Sequence, residues 1–380
     1  VTGRPQRRPE QHEVPMKQKH TPRSPKTGCK GPLLALLLGL AALGAFWYFR
    51  RSTAAMNWFI QHVSMPYKRV LSALVDPLPF SAGELVCTLG GLWLVWMAVR
   101  TLRRQRAGQN VLPRRLVSLA ALAVWIYALV CGAWGVHYYG TSFAGRAGLD
   151  PQPVTARQLA DTAAWFAQKV NETAPTVLRD ASGRFAVERR DILHNTRGLY
   201  EGVTQEYPFL AGPERRAKPA FYSLVMSAAN FTGYIFPPLG ESTLNVDCPA
   251  VFLPVTIAHE FAHQRGVAAE QEANFVGIAA CVDSDKPEYV YSGYLFGYLH
   301  LANALYEADR DLWSQTGQLL CSQAIADFED NNAYWARFDG LTAKVMTTTY
   351  EGFLQSYGQD LGMKSYGACV DLLVARYCPQ

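Results

Sequence analysis

Apolar residues are arranged in two ways along this 380-residue chain. In the first 140 residues they form three runs, 31–49, 85–99 and 116–136, none of which holds a charged residue. A hydrocarbon core of about 30 Å takes about 20 helical residues, so the first and third runs are long enough to cross it. The second needs residues 81–83 or a locally thinner bilayer. Beyond residue 140, apolar positions recur between polar ones at helical spacing, which predicts helices over 155–171, 187–205, 219–230, 287–309, 322–334 and 366–377. Two short alternating stretches, 231–236 and 241–246, joined by Pro-Pro-Leu-Gly, predict a hairpin.

Charge gives the apolar runs a direction. The first 30 residues hold eight Lys/Arg and the loop 100–115 holds six, whereas the longer loop 50–83 holds four. Positive charge gathers on the cytoplasmic side of a membrane, so the N-terminus and the 100–115 loop are expected there, with everything after the third run outside. A signal peptide is the alternative for the first run, but Arg50-Arg51 follows it without a small-residue cleavage site, which favours an anchor. Residues 1–140 carry 18 Lys/Arg against 4 Asp/Glu and residues 141–380 carry 18 against 27, so +14 and −9 make up the net +5. The positive charge brackets membrane runs instead of striping a folded domain, which argues for contact with a lipid bilayer and against nucleic acid. Residues 1–30 read as a basic, disordered tail, 31–140 as a three-span region and 141–380 as a domain large enough for its own core. In the 50–83 loop, Met56-Asn-Trp-Phe-Ile and Tyr67-Lys-Arg-Val-Leu, interrupted by Pro66, suit either a short interfacial amphipathic helix or a plain connection.

The chemistry sits in His259-Glu-Phe-Ala-His263. Histidines four apart share a helix face, so both imidazoles can reach one Zn²⁺, while the intervening Glu260 can take a proton from a metal-activated water without being a ligand. Such a pattern arises by accident in roughly one chain in a hundred of this length, so its surroundings decide. Pro254 suits a first helical turn, and Gly266 suits a left-handed helix end. A second helix starting near Val267 would return Glu270 or Glu272 to the metal as the third ligand. Glu270 is preferred because Asn274 lies four residues on and can orient its carboxylate; Glu272 is the alternate. Glu241 is a candidate second partner of the ligands, Asp247 reads as a surface charge, and Asn245 with its strand is a candidate edge for an extended substrate. The fold expected is a mainly α membrane protein: three transmembrane helices, then a largely helical, zincin-like α+β extracytoplasmic domain.

The stretch 234–281, with Gly-Glu-Ser-Thr-Leu-Asn245 ahead of the motif and Glu-Gln-Glu-Ala-Asn274 behind it, resembles an uncharacterised family of bacterial multi-pass membrane proteins with a zincin-type motif, domain of unknown function 3810. Residues 360–373 and the three spans fit the same resemblance. It implies a membrane-anchored metallopeptidase fold in a bacterial cytoplasmic membrane and no particular substrate. The Glu-x-x-Ala-Asn order is also similar to the Glu-x-x-Ala-Asp of membrane-embedded CAAX-processing and stress-response zinc peptidases, which implies Glu270 as third ligand. The six residues between His263 and Glu270 are nearer the compact turn of the metzincins.

Other residues add less. His300 lies in an apolar helical pattern and reads first as a core residue, and Tyr291, Tyr294 and Tyr298 read as a packed face, although one of these groups could stabilise an oxyanion. His62, His137 and His194 have no motif around them. No cysteine pair has metal-site spacing, and the five in the outer part allow at most two disulfides. The function expected is zinc-dependent hydrolysis of envelope peptides or proteins. A non-catalytic metal-binding sensor or scaffold is the alternative, and a cell-wall amide would be cut by the same chemistry. The oligomeric state is not legible.

Overall fold

The computed structural model of the protein describes residues 29–149, 154–338 and 367–379, with isolated positions at 340, 347, 348 and 352. Residues 1–28 of the expected basic tail and residues 360–366 of the resemblance lie outside the described residues.

The chain begins with α1 (Lys30–Phe49), α2 (Thr53–Phe59), α3 (Met65–Val75), α4 (Ala82–Arg106) and α5 (Leu112–Ala133). Three of these, α1, α4 and α5, are long and apolar enough to cross a membrane. The helix α4 outruns its apolar stretch at both ends, starting at Ala82 and running on through the arginines to Arg106. Its start is fixed by Ser81, whose hydroxyl accepts from the Glu84 N–H. Between α1 and α4 the chain does not break at Pro66. A single π turn, Ile60–Ser64, widens the helix there, with the Met65 N–H reaching back to Ile60 O. Proline has no N–H to give and crowds the turn before it, and the wider turn accommodates both.

The rest of the chain holds α6 (Phe143–Ala147), α7 (Ala156–Thr173), α8 (Arg189–His194), α9 (Glu201–Glu206), β1 (Lys218–Pro219), α10 (Ser223–Ala228), β2 (Gly233–Phe236), β3 (Glu241–Leu244), α11 (Leu253–Gln264), α12 (Glu270–Val282), α13 (Pro287–Ala308), α14 (Arg310–Gly317), α15 (Ser322–Ala336) and α16 (Gly367–Tyr377). The helix expected over 187–205 is instead two short ones, α8 and α9, because the chain turns between them at Gly198, in the left-handed region at φ 76°. The helix expected over 219–230 shrinks to α10, since Lys218 and Pro219 are held extended by parallel pairing with β3. The hairpin forms with Tyr234 opposite Thr243 and Phe236 opposite Glu241. Its partner strand β1 makes the sheet order β1-β3-β2, so β3 is the central strand and β2 an edge. Helices α7, α11, α12, α13 and α16 bury one apolar core that includes Phe166, Ile257, Phe275, Ile278, Tyr289 and Leu373.

Polar contacts link the part of the chain before residue 140 to the part after it. Glu241, at the start of β3, accepts from the Ala82 and Gly83 N–H groups and the Ser81 hydroxyl at the head of α4, at 2.8–3.1 Å, and from buried Lys218 at 3.0 Å. In return Glu84 accepts from the Phe221 and Tyr222 N–H groups. Tyr67 of α3 donates to Pro238 O. The head of α4 and the loop helix α3 are thus tied to the sheet and its turn by polar contacts. All eight cysteines are free thiols.

Candidate metal centre

The helix α11 carries the His-Glu-Phe-Ala-His sequence where the spacing predicts it, with Pro254 in its first turn. It stops at Gly266, whose φ of 86° lets the chain reverse without the Cβ clash any other residue would meet. The chain then enters α12 directly, and Glu270 is its first residue. The reversal returns Glu270 to the histidine face: its carboxylate oxygens lie 3.3 Å from His259 Nε2 and 3.6 Å from His263 Nε2. One ligand atom from each of the three lies within 4.8 Å of the others, the one such group among the described residues.

The donor set suits zinc. Ligands about 2.1 Å from a tetrahedral zinc stand about 3.4 Å apart, close to the two separations seen. His263 Nδ1 lies 2.7 Å from the Val267 carbonyl, which can only accept, so Nδ1 carries the proton and Nε2 turns a lone pair toward Glu270. A lone pair facing a carboxylate is unfavourable unless a cation sits between them.

Glu260 projects beside this cluster from the same helix. Burial pushes its carboxyl up to about 8, with His259 pulling it down and Glu270 pushing it further up. Its Oε2 is buried and has no hydrogen-bond partner among the described residues. A buried acceptor left open beside three ligand atoms is what a proton-accepting residue aimed at a small third molecule would present. The edge strand β2 approaches closely here: a Cβ on Gly233 would fall 2.9 Å from Glu260 Oε1. Any side chain at position 233 would therefore have to displace that carboxylate.

The ligand atoms open on a cavity of about 360 Å³, walled by Ala229 to Ile235 on one side and by Val255, Thr256, Asn274, Phe296 and Trp134 on the others. Several residues expected at the site are elsewhere. Glu272 points away from the imidazoles; both its oxygens accept from N–H groups at the start of α6, Phe143 at 2.8 Å and Ala144 at 2.9 Å. Glu241 is spent on α4 and Lys218, as described above. Asn245 is fully buried, its amide donating to Ser227 and Phe231 O and its oxygen accepting from the Asp247 N–H, and its strand is central; the edge at the cavity is β2. Asp247 is exposed, as expected of a surface charge, and accepts from the Tyr334 hydroxyl. Asn274 lines the cavity. His300 packs edge-on against Phe296, and burial, with His259 nearby, lowers its imidazole to about 4. Tyr291, Tyr294 and Tyr298 do not line the cavity; Tyr291 donates to Asp327.

Three residues without a motif turn out to support the centre. Trp134, the first residue after α5, meets the His263 ring edge-to-face at 5.1 Å. Lys68 of α3 donates to the His263 carbonyl at 3.3 Å, and burial lowers its ammonium to about 7. Tyr138 accepts from the Trp134 indole, and burial and the Glu270 charge raise its phenol, keeping it protonated. Their signal was positional: an aromatic at the end of a span and a lysine in an amphipathic loop mark the edge of a bilayer, but nothing local points them at a histidine pair.

A family model described as "Protein of unknown function (DUF3810)" matches residues 59–374. No curated protein and no solved structure matches the chain.

Proposed function

The chain belongs to the DUF3810 family of proteins of unknown function, and from that starting point we propose that it is a membrane-anchored zinc peptidase whose catalytic domain lies outside the cytoplasmic membrane. The observation that carries this reading is the convergence of His259, His263 and Glu270 around buried Glu260 in one open cavity. The charge asymmetry of the loops supports the orientation.

A zinc ion held by the three ligands would polarise a peptide carbonyl and acidify the attacking water. His263 keeps its ligating nitrogen unprotonated through the Nδ1–H to Val267 O bond. Glu260 takes the proton of the attacking water and returns it to the leaving amine. Edge strand β2 aligns the substrate backbone along the cavity by main-chain pairing. The walls supplied by Trp134, Phe231 and Phe296 limit water around the reacting groups.

Metal analysis of the full-length protein in detergent tests the ligand set. Wild type is expected to hold about one zinc per chain, Glu270→Ala to bind at least about tenfold more weakly, and Glu272→Ala to keep its zinc. Zinc lost from Glu272→Ala and kept by Glu270→Ala would overturn the assignment. Zinc bound by wild type without any hydrolysis would favour a metal-binding sensor or scaffold.

A further inference from the structure

The short helix α10 and the two residues before it present an apolar face that the domain leaves uncovered. Phe221 is 79% exposed, Leu224 63% and Val225 64%. This face is tied to α4 at two levels. The Phe221 and Tyr222 N–H groups donate to Glu84, in the first turn of α4, and the Tyr222 hydroxyl meets the Thr88 hydroxyl at 2.9 Å, one turn deeper. Thr88 is six residues into α4, about 9 Å along it. Beside it, Leu85, Leu89 and Leu92 of α4 are exposed as a lipid-facing surface would be. The cavity wall is built from the chain next to these elements. The chain leaves α10 and enters the cavity wall at Ala229, Trp134 enters it one residue after α5 ends, and Gly83 of α4 lies against the Phe236 ring at the end of β2.

We infer that Phe221, Leu224 and Val225 are buried in the outer leaflet, so that the cavity opens at the bilayer surface and receives a polypeptide anchored in that same membrane. Exposed Phe, Leu and Val beside the first turns of a spanning helix leave water for hydrocarbon, and a tyrosine such as Tyr222 suits the interfacial zone they pass through. The substrate class rests on the peptidase reading above; the insertion does not.

Two measurements on full-length protein separate the parts. In phosphatidylcholine nanodiscs whose acyl chains carry bromine, the emission added by Leu224→Trp over wild type is expected to be quenched by more than about half, as for a residue in hydrocarbon. Unquenched added emission overturns the insertion. In phosphatidylcholine liposomes, a randomised peptide mixture is supplied with and without an N-terminal palmitoyl chain, and products are read by mass spectrometry. The zinc-loaded protein is expected to cut the acylated peptides at least about tenfold faster, a preference lost in Phe221→Ser/Leu224→Ser. Equal cutting of both forms overturns the substrate class and leaves the peptidase standing. No cutting of either, with Leu224→Trp quenched, removes the peptidase reading and the substrate class together and leaves the membrane-inserted face in place.

Discussion

Glu260→Gln is expected to hold zinc as tightly as wild type and to lose hydrolysis by about 10²–10⁴-fold. The substitution preserves shape and hydrogen-bonding capacity while removing the ability to accept a proton. Glu260 belongs to the same helix as both histidines but lies outside the ligand cluster, so bound metal and turnover should come apart in this variant. Activity within about twofold of wild type would exclude Glu260 as the base, and loss of zinc would place it among the ligands. A stable Glu260→Gln protein retaining zinc would also serve to trap substrates.

Glu241→Ala is expected to cost about 3–5 kcal/mol, because it strands the Lys218 ammonium in the interior and removes the acceptor for two N–H groups at the head of α4. Thermal unfolding in detergent should show a midpoint lower by about 5 °C. The double variant Glu241→Leu/Lys218→Met should recover part of that loss, since it leaves no lone charge, but not all of it, since the α4 N–H groups stay unpaired. A midpoint unchanged in Glu241→Ala would mean that the bond between sheet and spanning helix adds little to stability.

The same glutamate shows where sequence reading stopped. His259, His263 and the reversal at Gly266 were legible because a helix face, a helix end and a short loop are local matters of period and φ. Glu270 could be preferred over Glu272 on the same local grounds, and the structure places Glu270 among the imidazoles and Glu272 on α6. Glu241 and Asn245 were candidates because the predicted hairpin that carries them could lie beside the motif helix. What occupies them lies far away or across the sheet: Glu241 answers to Ser81, 160 residues back, and Asn245 to Ser227. The strand nearest the site was misjudged for a related reason. Two residues, Lys218 and Pro219, pair with β3 and turn it from an edge into the centre, and a strand of two residues has no periodicity to read.

The brevity of β2 sets a limit on affinity. It has four residues, and one of its sides is committed to β3. A guest chain paired along the other side gains at most about four main-chain hydrogen bonds, each worth about 1 kcal/mol net. That sum corresponds to a dissociation constant in the millimolar range. Backbone pairing alone would therefore set register and direction without holding a guest for long, so discrimination between sequences would fall to side-chain fit in the surrounding walls.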